Sequence, residues 1–214
     1  MLSGSGPSRF SAAGRCRIAL LPVRYGAALQ FAAELHAWQA RKSTSIPYIS
    51  HLISVSALVL ENGGDEDAAI AALLHDAIED QVDDYPGDLR RYIRGTFGER
   101  VLEIVEHCSD SATSRDKPTW RDRKEAYIAR LTNSTDNAAL LVSCADKLHN
   151  ARSILADYRE IGDEVWRRFT AGKDGSLWYY RRLTQVFQAR APRRLAEELT
   201  RAVAELEAKA GASK

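Results

Sequence analysis

Three cysteines, Cys16, Cys108 and Cys144, are all that this 214-residue chain contains, and they form no Cys-x-x-Cys pair. That argues against a thiolate metal cluster, and an odd, scattered set suits a reducing compartment better than a disulfide framework. Long apolar runs are missing too: none approaches the ~18 to 20 residues that span a bilayer. The apolar stretch 18–23 is shorter than the ~7 to 15 residues of a secretory signal core, and it follows a Gly-, Ser- and Arg-rich segment. Residues 1–17 therefore read as a disordered tail and 18–214 as one domain of a soluble, cytoplasmic protein. An excess of either charge is also lacking, with 30 Lys plus Arg against 29 Asp plus Glu. No long electrostatic footprint for nucleic acid or a membrane results, although a local basic patch around a small anion stays open. Sustained period-two alternation, the mark of half-buried strands, is absent.

What is present is helical periodicity. Apolar residues make up 45% of the chain, enough for a buried core, and recur at spacings of three and four. The pattern predicts an all-α, single-domain bundle of about ten helices, over 23–41, 48–62, 65–81, 86–95, 98–109, 118–132, 136–158, 161–170, 175–190 and 192–211. Asn62, Gly63 and Gly64 end one helix, Asp65 caps the next, and Pro47, Pro86, Pro118 and Pro192 sit where helices can begin. Two polar loops, 43–47 and 109–117, are placed to lid or line a site.

Two helices carry an anomaly. In the segment 70–80, at about 100° per residue, Glu79 lies about 40°, Asp76 about 100° and Asp80 about 140° from His75. Four ionisable groups share one arc of a helix otherwise fit for burial. Three carboxylates so close repel one another unless a cation compensates them, and a metal ion supplies one. The segment 138–152 repeats the pattern: Asp146 stands in the middle of an apolar helix, with Asn150 about 40° around on the same face. His149 falls off that face and reads as a structural hydrogen-bond partner, and Arg152 as the buttress of a neighbouring carboxylate. His51 opens a third helix among apolar residues. Alone it would be a satisfied core histidine. With His75, Asp76 and Asp146 it completes two imidazoles and two carboxylates, a donor set suited to Mn²⁺, Fe²⁺, Zn²⁺ or Mg²⁺ with open positions for water.

A histidine, then His-Asp, then a distant Asp is the pattern of the HD superfamily of metal phosphohydrolases. The flanking blocks are more specific: His36 to Ser43 followed by Pro47 to His51, Ala72 to Asp80, and Ala145 to Arg152. They resemble the hydrolase domain of RelA/SpoT-type alarmone enzymes, with a weaker block at Lys117, Pro118, Arg123, Lys124 and Tyr127. The resemblance runs in order over about residues 25 to 190. With no room for a synthetase half, the chain is similar to the stand-alone, Mesh1-like small alarmone hydrolases. Trp38, in place of a small residue, and Leu52, in place of a proline, depart from the pattern without removing a ligand.

The resemblance implies stringent-response chemistry: removal of pyrophosphate from the 3′ position of guanosine tetra- or pentaphosphate, with one divalent cation, usually Mn²⁺. It implies metal ligation by His51, His75, Asp76 and Asp146, and water orientation and proton transfer by Glu79 and Asp80. Substrate contacts fall to Arg41, Lys42, Asn150 and Tyr179. Without it, Arg41 and Lys42 would read as a basic helix C-terminus and Tyr179 as a core aromatic. The partner implied is a small nucleotide, with no nucleic acid or membrane and with room for a homodimer. Two alternatives stand beside it: an HD phosphatase of NADPH or other nucleotides, and an inactive alarmone sensor.

Overall fold

The helix with the least polar surface sits at the centre. In the computed structural model, which describes residues 23–109 and 119–212, the segment Glu66–Leu74 is buried without interruption from Ala68 onward. A helix apolar on every side must be enclosed by others, and here the enclosure is entirely helical. In chain order the elements are α1 (Val23–Leu35), α2 (Ile49–Glu61), α3 (Glu66–Leu74), α4 (Ala77–Gln81), α5 (Leu89–Phe97), α6 (Glu99–Cys108) and α7 (Trp120–Asn133). They continue with α8 (Asn137–Ile161), a 3₁₀ helix (Gly162–Arg168), α9 (Gly172–Arg190) and α10 (Arg193–Ala212). Among the described residues there is no strand, only an isolated antiparallel bridge between Ala40 and Pro47, and no helix long and apolar enough to cross a membrane.

α3 packs against α1, α2, α6 and α8, while the 25-residue α8 runs past α2, α6, α9 and α10 as well. The centre of the bundle is thus the meeting of α2, α3 and α8, which carry His51, the approach to His75, and Asp146. Their termini are fixed locally. Asp65 accepts from Ala68 N at the start of α3, and Thr119 with Asp122 forms a capping box on α7. Asp136 caps α8 by accepting from Ala138 N and Ala139 N, and it takes both terminal nitrogens of Arg100 at 2.8 and 2.7 Å. Asp136→Ala removes the cap and leaves Arg100 without this partner. It is expected to lower stability by roughly 0.5 to 2 kcal/mol, read as a lower urea midpoint at unchanged m-value.

The all-α expectation holds, and four of its details change. The first helix ends at Leu35, not at 41. Beyond it the backbone turns into a hairpin in which Arg41 N donates to Ile46 O at 2.8 Å and Tyr48 N to Gln39 O at 2.9 Å. Ser43 adopts φ 58° to close it. Arg41 and Lys42 therefore sit in a turn, and the helix-terminus reading of them falls. The predicted helix 65–81 is broken at His75 and Asp76, where Asp76 takes φ −96° and ψ −1°. The helix expected from Pro86 begins only at Leu89, capped by Asp88, and the predicted helix over 161–170 is a 3₁₀ helix. The tail 1–17 and most of the loop 109–117 lie outside the described residues.

Candidate metal centre

The break in the helix is what assembles the site. On an unbroken helix the His75 and Asp76 side chains would diverge by about 100°. With Asp76 in the bridge region of backbone space, His75 Nε2 lies 3.1 Å from Asp76 Oδ2. α2 brings His51 alongside, its Nε2 3.7 Å from the same oxygen. One ligand atom each from His51, His75 and Asp76 falls within a 4.8 Å cluster. From α8, Asp146 Oδ1 approaches both rings, at 3.2 Å from His51 Nε2 and 3.6 Å from His75 Nε2. Both histidines are buried, and Asp146 is only 5% exposed.

Hydrogen bonds on the far side of each ring show what the near side needs. His75 Nδ1 donates to the Ala72 carbonyl at 2.9 Å, so in the neutral ring Nε2 carries a lone pair. That lone pair faces carboxylate oxygens, and Nε2 is buried with no hydrogen-bond partner among the described residues. Lone pairs aimed at one another are repulsive until a positive charge sits between them. Burial alone would keep the His75 ring neutral, yet Asp76 and Asp146 raise its pKa well above the ordinary value. His51 Nδ1 lies 2.8 Å from His149 Nδ1. If His51 donates there, its Nε2 also presents a lone pair inward, the tautomer a metal ligand requires. His149 suits the acceptor role, since burial, with His51 beside it, pushes its pKa down to about 4. Both carboxylates remain ionised in spite of burial: His75 lowers Asp76 below the carboxylate range, and Lys147 and the histidines lower Asp146. Two inward imidazole lone pairs, the buried Asp146 carboxylate and the partly buried Asp76 carboxylate fit one divalent cation.

Two residues that the sequence reading left unassigned hold these ligands. Tyr48, three residues before His51, donates its hydroxyl to Asp76 Oδ2 at 2.5 Å. Burial, followed by Asp76, raises its pKa and keeps it a donor. Lys147 donates to Asp146 Oδ2 at 2.6 Å and lies 5.2 Å from the Tyr127 ring centre. Its signals were a lysine on an apolar helix and a tyrosine one turn ahead of a ligand. Tyr48→Phe is expected to weaken binding of the ion roughly tenfold, measured by direct Mn²⁺ titration, with the helical signal unchanged.

Beside the cluster lies a cavity of about 550 Å³ whose wall includes Tyr48, Lys147, His149 and Asn150, each bonded to one of His51, Asp76 and Asp146, although none of the four cluster residues themselves lines it. Asn150 donates to Asp146 Oδ1 and accepts from Arg41 Nη2 at 2.9 Å. Arg41 is thereby aimed into the cavity from the hairpin. Lys42 lines the same wall, 6.0 Å from the Phe169 ring centre. Tyr179 lines the same cavity, buried beside Trp120, with Lys124 Nζ 5.2 Å from its ring centre. Arg152 turns away to an ion pair with Glu198 on α10. Asp80 is at the surface of α4, held by Gln39 Nε2 at 2.7 Å. Partial desolvation by its surroundings and the neighbouring Asp76 raise its pKa above the usual carboxylate value. Glu79 is exposed on the same turn.

Comparison with known proteins bears on the family and the fold. The family model described as "HD domain" matches residues 28–177. The guanosine-3′,5′-bis(diphosphate) 3′-pyrophosphohydrolase MESH1 of Xenopus tropicalis is 35% identical over 130 residues, 59% of this chain and 67% of that protein. The bifunctional (p)ppGpp synthase/hydrolase SpoT of Escherichia coli K12 is 34% identical over 128 residues, 58% of this chain. The matched region spans 17% of SpoT and 16% of a Synechocystis relative, a small part of these long proteins. Among solved structures, a metazoan ortholog of SpoT that hydrolyses ppGpp shares the fold with a TM-score of 0.66 at 23% identity, over 86% of this chain and 96% of that one. A Listeria monocytogenes protein aligns with a TM-score of 0.62 at 26% identity, over 74% of this chain and 99% of the other. With its His, His-Asp and Asp residues gathered at the junction of α2, α3 and α8, and the match covering most of its length, the chain belongs to the HD-domain family.

Proposed function

We propose that this protein is a metal-dependent hydrolase that removes pyrophosphate from the 3′ position of guanosine tetra- or pentaphosphate, leaving GDP or GTP, with Mn²⁺ as its ion. The observation that carries this reading is the shared wall: residues that hold the four-ligand cluster also line a cavity rich in cationic and aromatic groups. A volume of about 550 Å³ lies within the ~300 to 1,000 Å³ common for small-molecule sites.

His51, His75, Asp76 and Asp146 would hold the cation. When bound, such an ion polarises a phosphoryl oxygen and makes a contacting water acidic enough to lose a proton near neutral pH. The remaining work falls to the chain itself. Asp80, with Oδ2 held by Gln39, receives the proton of the attacking water at Oδ1, and its raised pKa suits it to pass that proton on. Glu79 shares the shuttle. The bond between phosphorus and the 3′ oxygen breaks as the water oxygen bonds to phosphorus, and the ribose oxygen leaves protonated. Arg41, anchored by Asn150, offers a planar cation to the base or a phosphate, and Lys42 neutralises phosphate charge. Tyr179 closes the pocket over the nucleotide.

The same wall chemistry would also admit a phosphorylated dinucleotide such as NADPH. Parallel incubations with equal concentrations of guanosine tetraphosphate, NADPH and a deoxynucleoside triphosphate separate the readings. Pyrophosphate with GDP from the tetraphosphate should appear fastest. Release no faster than phosphate release from NADPH would shift the assignment to the dinucleotide.

A further inference from the structure

Three hydrogen bonds converge on a side chain outside the ligand set. Gln39, in the turn after α1, has its Nε2 2.7 Å from Asp80 Oδ2. Its Oε1 lies 2.6 Å from His36 Nδ1 and 2.7 Å from Gln81 Nε2. An ionised carboxylate only accepts, so the group facing Asp80 must be the amide nitrogen. That choice turns Oε1 toward His36 and Gln81, which must then both donate. The amide is thus locked in one of its two orientations from behind. His36 is itself fixed, 2% exposed and stacked on the Tyr48 ring at 5.3 Å between centres. Tyr48 in turn donates to Asp76. One rigid scaffold therefore sets Asp80 and a metal ligand in common register.

We propose that Gln39 is the positioning residue for Asp80: it fixes Oδ2 and leaves Oδ1 to handle the proton of the attacking water. The inference rests on the role of Asp80 given above. A side chain at the surface of a short helix would otherwise sample several rotamers, and misplacement of a catalytic group by about 1 Å can cost ~100-fold in rate. Partial loss of order should cost less.

The test uses Mn²⁺-loaded protein and guanosine tetraphosphate. Gln39→Met keeps length and removes both hydrogen-bonding ends, and kcat should fall about tenfold with KM and bound Mn²⁺ nearly unchanged, while the thermal midpoint falls because the buried His36 loses its acceptor. Asp80→Asn should be slower still. The double variant should be no slower than Asp80→Asn alone, because Gln39 acts only through that carboxylate. A wild-type kcat for Gln39→Met beside a slow Asp80→Asn overturns this proposal alone, as does a double variant slower by the product of the two losses. A wild-type kcat for Asp80→Asn removes the role of Asp80 and this proposal with it. If Gln39→Met does not fold, Gln81→Met decides: loss of one lock should lower kcat about two- to threefold, and an unchanged kcat is a contradiction.

Discussion

Asp146→Asn should strip the ion and lower turnover on guanosine tetraphosphate by on the order of 10³-fold or more, since the attacking water loses the cation that would make it acidic. The substitution keeps the shape of the side chain and removes one charge. Asp146 Oδ1 faces both imidazoles, as Asp76 Oδ2 does, so a cation held between the rings would feel its charge directly. Asparagine is the informative choice because the amide oxygen still accepts from Lys147. Alanine would take away the carboxylate that holds the partly buried Lys147 ammonium and would confuse misfolding with loss of metal. Metal content, thermal midpoint and turnover measured on one preparation separate the effects. A variant that folds, binds Mn²⁺ as wild type does and turns over at the wild-type rate would remove Asp146 from the ligand set.

Asp80→Asn should behave differently. The ion should bind as before, while kcat falls by about 10² to 10⁴, the range for loss of a general acid–base group. Asp80 stands four residues beyond Asp76 and is held by Gln39 rather than by an imidazole. Its environment raises its pKa through partial desolvation and through Asp76, whereas Asp146 is pulled down by Lys147 and the histidines despite burial. Carboxylates whose neighbours push them in opposite directions divide naturally into ligand and proton carrier. A fall in metal affinity equal to the fall in kcat would mean that Asp80 serves the ion and not the proton.

Helical periodicity made most of the bundle legible, and the pairing of buried acids with histidines on apolar helices singled out the residues of the cluster. The misses have physical causes. A uniform 100° rotation cannot anticipate the break at His75 and Asp76, where Asp76 takes φ −96° and ψ −1° and lies 3.1 Å from His75 Nε2. The hairpin at Ala40–Pro47 was hidden behind an Arg-Lys pair that suits a helix end. Its stability comes from backbone pairing across the turn, which composition does not reveal. Tyr48 and Lys147 resemble an ordinary core aromatic and an ordinary ion pair until their partners are known. Gln39 meets Asp80 across 41 residues of chain, and no local pattern announces such a contact.

The most direct test is a metal titration with identified products. Protein stripped by chelator should not act on guanosine tetraphosphate. Stepwise Mn²⁺ should restore activity to a plateau at one ion per chain, releasing GDP and pyrophosphate in equal amounts, and Asp146→Asn should not respond. Turnover that survives chelation, or that Mn²⁺ restores equally in Asp146→Asn, would contradict a metal centre built from His51, His75, Asp76 and Asp146.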